Sequence, residues 1–122
     1  MRLLTWNINS VRLRLQLLEE IIAAEQPDII CLQETKCPDE LFPKGALEKL
    51  GFRYIALWGQ KSYNGQAIIS KMPFSEPRTH TRCGQDDCRH LSVKFDKFEC
   101  HNVYVPSGGS GGDKPDPVNN PK

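Results

Sequence analysis

One acidic side chain arrives directly after a run of residues that suits a buried strand. Residues 29–32 are apolar and rich in β-branched side chains, and the polar residues 33–36 follow at once. Such continuous apolar runs are typical of strands covered on both faces. Proteins of the α/β class commonly build their sites at the carboxyl ends of these strands. Glu34 is therefore the leading candidate for a functional carboxylate, and the alternative is a solvated strand end.

Three other groups that can do chemistry stand at comparable places in the chain. Asn7 ends the first predicted strand, Asn64 begins an Asn-Gly pair in a loop, and Tyr104 lies near the end of a predicted hairpin. Amide and carboxylate oxygens bind hard cations, and a phenol can donate to a phosphate oxygen. Each group alone is a weak signal, because asparagines cap turns and tyrosines pack in hairpins.

The elements that must position these groups follow from hydrophobic period and breakers. A strand at 2–7, a helix at 11–26 capped by Ser10, and the strand ending at Gln33 give a strand–helix–strand order, which predicts a parallel or mixed sheet. Pro27 separates the helix from its following strand. The further predicted elements are a short helix at 42–50, strands at 52–58 and 67–70, an extended segment at 76–81, and a hairpin of 89–95 with 98–105 around a two-residue turn.

Composition narrows the class of protein. The length of 122 residues suits one domain. The formal net charge of +1 gives the protein no overall positive field that would attract a polyanion such as nucleic acid. No stretch approaches the roughly 20 apolar residues of a spanning helix, so we expect no membrane partner. Five cysteines and no signal peptide indicate reduced thiols and a cytoplasmic location. Residues 1–106 form the predicted domain, and 107–122, rich in Gly, Ser and Pro, form a predicted flexible tail.

In order and spacing the sequence resembles the N-terminal half of the exonuclease III family of apurinic/apyrimidinic endonucleases, within the endonuclease/exonuclease/phosphatase superfamily. The resemblance runs from Met1 to about Pro106. It is carried by the motifs Thr5-Trp6-Asn7-Ile8-Asn9, Leu32-Gln33-Glu34-Thr35-Lys36, Asn64-Gly65 and Asn102-Val103-Tyr104-Val105-Pro106.

The resemblance implies a DNA-repair phosphodiesterase that uses Mg²⁺, or Mn²⁺, cuts beside abasic sites and removes nucleotides from 3′ ends. It makes Glu34 the metal-binding carboxylate, Asn7 its companion in the metal shell, and Tyr104 a phenol placed against the scissile phosphate. Contacts to DNA are expected from Arg12, Lys36, Lys61 and Asn64. A solvated surface explains any one of these basic residues equally well.

The resemblance also implies the fold: half of a four-layer α/β sandwich, with one mixed β-sheet and helices on one face. The other sheet face then needs a second half-domain or another copy of the chain to cover it. Gln66 stands where the family has an apolar residue, so we expect it to be exposed.

Family motifs of the second half, a Gly-Asp-x-Asn and an aspartate–histidine pair, do not occur, and no histidine here stands in for the latter. We therefore expect a weakly active or inactive fragment, with a non-catalytic half-domain or a phosphatase as alternatives. A zinc site from Cys83, Cys88, Cys100 and His101 is disfavoured, because adjacent strand residues point to opposite faces.

Overall fold

The computed structural model describes residues 1–59, 64–80 and 90–104 and shows two β-sheets with two short α-helices. The predicted tail and Cys83 and Cys88 lie outside these ranges. Within them, no helix is long and apolar enough to cross a membrane. In chain order the elements are β1 (Leu3–Asn7), α1 (Leu15–Glu25), β2 (Ile29–Gln33), a 3₁₀ turn (Asp39–Leu41), α2 (Lys44–Lys49), β3 (Tyr54–Trp58), β4 (Gln66–Ser70), β5 (Ser75–Thr79), β6 (His90–Lys94) and β7 (Glu99–Val103).

Sheet A is mixed and has the strand order β1-β2-β4-β3. β1 and β2 are parallel and are joined through α1, whereas β4 runs antiparallel to β2 and to β3. The apolar residues of β2 and β4 place these two strands at the centre of the sheet, where both faces are covered. The strand–helix–strand order and the mixed sheet are confirmed.

One face of sheet A packs against the helices. Leu18 and Ile22 of α1 and Leu47 of α2 meet the alternate side chains of the strands, among them Leu32 and Ile69, in one buried cluster. The apolar stripe of α1 repeats at three- and four-residue spacing, so it presents one face to the sheet.

The other face of sheet A is covered by a second sheet from the same chain. Sheet B is antiparallel with the order β5-β6-β7. Leu91, Val93 and Phe95 project from it onto Ile29 and Ile68 of sheet A. The prediction of a single sheet is therefore wrong, and so is the expectation that this sheet face stays open for a partner. The cause is the apolar alternation of β6, which is buried only by folding back over sheet A.

The first helix begins four residues later than predicted. Residues 11–14 form turns, and α1 starts at Leu15. The backbone N–H of Val11 donates to Thr35 at 3.0 Å, so this residue is tied to the end of β2. Ser10 still accepts a weak bond from the Leu13 N–H at 3.4 Å. At the other end Gln26 is left-handed and bonds to the Ile22 carbonyl at 2.8 Å, directly before Pro27.

The predicted hairpin is confirmed. β6 and β7 pair antiparallel, and the Phe95 N–H donates to the Phe98 carbonyl at 2.8 Å across the two-residue turn. The Phe95 and Phe98 rings stack with centroids 4.8 Å apart.

Gln66 is buried, not exposed as its polarity predicted. It is 1% exposed at the start of the central strand β4, and its side-chain Nε2 and Oε1 have no hydrogen-bond partner. Its side chain points to the same side as Ile68, between the two sheets. Burial of an amide without partners costs free energy that an apolar side chain does not.

We expect Gln66→Met to raise the free energy of unfolding by about 1–2 kcal/mol, because it removes two unsatisfied buried groups at nearly constant volume. Urea unfolding measures the change. Gln16→Met, on the exposed side of α1, is the matched control and should stay within about 0.5 kcal/mol. Destabilisation by Gln66→Met would show that the amide has a structural role.

Two cysteine thiols meet between the sheets. The Sγ atoms of Cys31 in β2 and Cys100 in β7 are 3.5 Å apart, and both thiols are free, as is Cys37. The hydrogen bond from Cys31 lowers the pKa of the Cys100 thiol despite its partial burial. The same bond, together with burial, raises the pKa of Cys31. Burial likewise raises the pKa of Cys37.

Cys100 should therefore alkylate first among these three cysteines. As pH rises from roughly 6 to 9, iodoacetamide should modify Cys100 at a lower pH than Cys31 or Cys37, because only the thiolate reacts. Peptide mapping by mass spectrometry follows each site. Earlier modification of Cys37 would contradict the assignment of the thiolate to Cys100.

Candidate functional site

The chain segments after β1 and β2 run side by side beyond the end of the sheet. The backbone N–H of Ile8 donates to the Gln33 carbonyl at 3.0 Å, and that of Ser10 donates to the backbone carbonyl of Glu34 at 2.9 Å. Asn7 is opposite Gln33 in the parallel register. The structure thus places Asn7, the last residue of β1, and Glu34, the residue after β2, at one edge.

A third segment closes the other side of this edge. The Thr35 N–H donates to the Gly65 carbonyl at 3.1 Å, and the Lys36 N–H donates to the Asn64 carbonyl at 2.9 Å. A Cβ added at Gly65 would collide with Thr35 Oγ1, and the φ of Gly65 is +94°. Glycine is therefore required here for close approach of the two backbones. Asn64 joins the edge, whereas Lys61 lies outside the described residues.

Left-handed backbone conformations concentrate at this edge. Five of the seven described non-glycine residues with positive φ belong to it: Asn9, Ser10, Glu34, Lys36 and Asn64. Each such conformation costs about 1 kcal/mol or more, and strain of this kind clusters at functional sites. We take the segments around Glu34 as the candidate site, and call them the polar edge.

The polar edge carries one acidic and one basic side chain in contact. Lys36 Nζ lies 3.9 Å from Glu34 Oε1 and also donates to Asn9 Oδ1. The Glu34 side chain is about one fifth exposed and that of Lys36 about one third, so the carboxylate is accessible to solvent. Asn7, at the end of the neighbouring strand β1, is also exposed.

Arg12 lies at the same end of the molecule, in the turns after β1. It is exposed, and its positive charge partly opposes the rise that burial causes in the Cys37 pKa. The structure therefore gives Arg12 and Lys36 to this end of the molecule.

Tyr104 is brought towards the polar edge by the direction of β7. Cys100 meets Cys31 and Asn102 meets Gln33, so β7 follows β2 across the space between the sheets. Tyr104, half-buried, lies two residues further along in the direction in which Glu34 follows Gln33.

A buried polar bridge that links the two sheets was not assigned from the sequence. Asn102 is 2% exposed, and its Nδ2 donates to the carbonyls of Leu32 and Ala67 at 2.8 and 3.0 Å. Its Oδ1 accepts from Gln33 Nε2 at 2.7 Å, and Gln33 also donates to Thr5 Oγ1 at 3.0 Å. The available signal was a polar residue inside a predicted strand, two residues before Tyr104.

We expect Asn102→Ala to lower the free energy of unfolding by about 2–4 kcal/mol, because it leaves two buried carbonyls and the Gln33 amide without their partner. Urea unfolding tests this. Asn7→Ala removes the same side chain from an exposed position and should change stability by less than about 0.5 kcal/mol. Equal effects of both variants would contradict the bridging role.

The donor set at the polar edge fits a hard divalent cation. A solvent-accessible carboxylate and a neighbouring amide offer oxygen ligands, and Mg²⁺ takes few protein oxygens and retains several waters. Lys36, at 3.9 Å, is the positive charge that the structure places beside Glu34. Glu34 and Asn7 are thus the candidate oxygen ligands at this edge.

Comparison with known proteins identifies what this chain is similar to. The sequence profile of the endonuclease/exonuclease/phosphatase family matches residues 4–120. Exodeoxyribonuclease III of Haemophilus influenzae is 34% identical over 116 residues, which cover 90% of this chain and 43% of that protein.

Solved structures give the same relationship. An AP endonuclease from Archaeoglobus fulgidus superimposes on this chain with a TM-score of 0.81 at 31% sequence identity. The match covers 89% of this chain and 43% of the endonuclease chain. The 3′ phosphatase NExo from Neisseria, bound to a product DNA hairpin, gives a TM-score of 0.79 at 32% identity, over 85% of this chain and 41% of that one. This chain thus spans less than half the length of these relatives.

Proposed function

The chain belongs to the endonuclease/exonuclease/phosphatase family, and we propose that its polar edge is the metal-binding part of a DNA-repair nuclease site. Its relatives include an exodeoxyribonuclease III and an AP endonuclease. The observation that carries the proposal is the convergence of three backbone segments around Glu34. The backbone of this residue is left-handed, and its carboxylate is accessible to solvent.

Glu34, with Asn7 beside it, would hold the Mg²⁺ ion. When bound, Mg²⁺ neutralises charge on a phosphate and polarises it towards attack. Lys36, which lies beside Glu34 and donates to Asn9, would contact a DNA phosphate while Glu34 holds the ion.

The other candidate site residues of this chain would position DNA. Arg12, Lys36 and, by the family resemblance, Lys61 and Asn64 would contact the backbone, and the Tyr104 hydroxyl would donate to a phosphate oxygen. Because these contacts are electrostatic, DNA affinity should fall steeply with salt. Abasic sites and 3′ ends are the proposed targets, and a cytoplasmic location is the proposed setting.

The part of the chain that the structure describes supplies no histidine to this edge. His90 and His101 lie on the face of sheet B opposite to Asn102. Positioned proton transfer contributes about 10²–10⁴ to rate. We propose that a complementary half-domain or another copy of the chain supplies the missing groups.

The proposed partner would extend sheet edges rather than cover a sheet face. Within the described strands, β1 pairs only with β2 and β7 only with β6, and both therefore end their sheets. Leu3 on β1 and Val103 on β7 are 59% and 41% exposed. Unpaired strand edges are templates for added strands.

We expect the 122-residue chain to bind Mg²⁺ through Glu34 and to incise DNA more slowly than a full-length relative by about 10²-fold or more. Amide chemical shifts during Mg²⁺ titration report binding. Incision of a duplex with one abasic analogue reports turnover, beside a 3′-phosphate duplex and a soluble phosphomonoester.

Glu34→Gln should weaken Mg²⁺ binding about tenfold or more, because the amide lacks the charge of the carboxylate. Glu48→Gln on the exposed side of α2 is the matched control and should leave the titration unchanged. An unchanged titration in Glu34→Gln would refute the metal assignment. Metal and DNA binding without any turnover would favour a non-catalytic half-domain, and preference for the soluble phosphomonoester would favour a phosphatase.

A further inference from the structure

The outer face of sheet B gathers three histidines, which are all the histidines of the chain. His80 directly follows β5, His90 begins β6, and His101 lies on β7. One ring nitrogen from each lies within 4.8 Å of those of the other two. This histidine cluster is separate from the polar edge, because it lies on the opposite face of sheet B.

Strand register produces the histidine cluster. The His80 N–H donates to the His90 carbonyl at 2.9 Å, which makes these two residues neighbours. Ser92 and His101 are cross-strand partners. Because Leu91 and Val93 point into the core, His90 and Ser92 must point outward.

The spacing of the imidazoles suits a shared metal ion. His90 Nε2 and His101 Nδ1 are 3.0 Å apart. Two nitrogens bound to one tetrahedral Zn²⁺ at about 2.0–2.1 Å lie about 3.3 Å from each other. These two nitrogens share a hydrogen bond, and a metal ion bound by both would take the place of its proton. The third ring, His80, stacks on His90 with centroids 4.0 Å apart.

Two side chains support the rings from outside. His101 Nε2 donates to Glu99 Oε1 at 3.1 Å, which leaves Nδ1 of the same ring as the lone-pair donor facing His90. Carboxylates hold metal-binding histidines in this way. Ser92 Oγ lies 2.8 Å from His80 Nε2 and can rotate to release that nitrogen to an ion.

Among the described residues, acidic and basic side chains are present in equal number around the exposed part of the histidine cluster. Arg78 is 3.5 Å from Glu76, and Lys94 stands opposite Glu99 in the strand register. These groups line one shallow pocket together with His80 and His101. The pocket therefore gives an ion access from solvent to His80 and His101 without a net positive charge among its lining residues, whereas His90 is buried.

We propose that His80, His90 and His101 form a site for a borderline divalent transition-metal ion of the Zn²⁺ class. Neutral imidazoles suit Zn²⁺, Co²⁺, Ni²⁺ and Cu²⁺, whereas Mg²⁺ prefers oxygen. Three histidine ligands leave one coordination position for water. Bound metal would connect all three strands of sheet B and would stabilise the folded chain by mass action.

Zn²⁺ titration of the purified 122-residue chain, followed by calorimetry and by NMR of the histidine ring protons, tests this site. We expect one tight equivalent, perturbation of all three histidine rings, and a rise in Tm with Zn²⁺. Co²⁺ should give d–d bands without thiolate-to-metal charge transfer, which excludes the cysteines as ligands. His80→Gln and His101→Gln should each weaken binding at least about tenfold, and Glu99→Gln about 10–100-fold.

Glu34→Gln is the control variant, and its Zn²⁺ affinity at the histidine cluster should equal that of the wild type. Far-ultraviolet circular dichroism verifies the fold of every variant. Thiolate bands in the Co²⁺ spectrum, unmoved histidine rings in the wild type, or full affinity in the folded His101→Gln would each overturn the proposal. The ring resonances of the wild type decide the matter even where a variant does not fold.

Discussion

Backbone hydrogen bonds on both sides of residues 34–36 hold the polar edge together. One side bonds to the segment after β1 and the other to Asn64 and Gly65. Thr35 is 1% exposed, so its backbone groups need these partners. The three segments turn sharply where these bonds join them. Several of their residues adopt left-handed conformations there, among them Glu34 with a φ of 55°. The same bonds that compensate this strain fix the carboxylate in place, and a fixed carboxylate is what a metal ligand requires.

Asn102 extends that constraint to the second sheet. The contacts between Leu91, Ile68 and their neighbours are apolar and non-directional, so they allow the sheets to shift relative to each other. A buried amide whose donors and acceptor are all satisfied permits one alignment, because any shift breaks its bonds. The position of Tyr104, two residues on, therefore depends on Asn102. Gln66 shows the opposite case, a buried amide with neither end satisfied, which costs stability and fixes nothing.

Local patterns predicted the elements and the strand end that carries Glu34, because a continuous apolar run followed by polar residues has few other interpretations. They did not predict two sheets. The alternation of Leu91 and Val93 defines one buried face, but not which surface covers it. Gln66 was misassigned for the same reason, since its central position in sheet A overrides the polarity of its side chain. The hairpin register could have placed His90 and His101 on one face, but the pairing of β5 with β6, which brings His80 to them, has no such signal in the sequence.

Strand β7 would link the proposed metal site at the histidine cluster to the polar edge. His90 pairs with Val103 in the strand register, and Tyr104 is the next residue. A metal ion at the histidine cluster would therefore stiffen the strand that carries Tyr104 towards the polar edge. Ligand chemistry keeps the two ions apart, because the polar edge offers oxygen and the outer face of sheet B offers imidazole nitrogen. A metal ion at the histidine cluster would already restrict Tyr104, so this residue would lose less conformational freedom on contacting a phosphate. DNA affinity would then rise through entropy alone, without any displacement of Glu34.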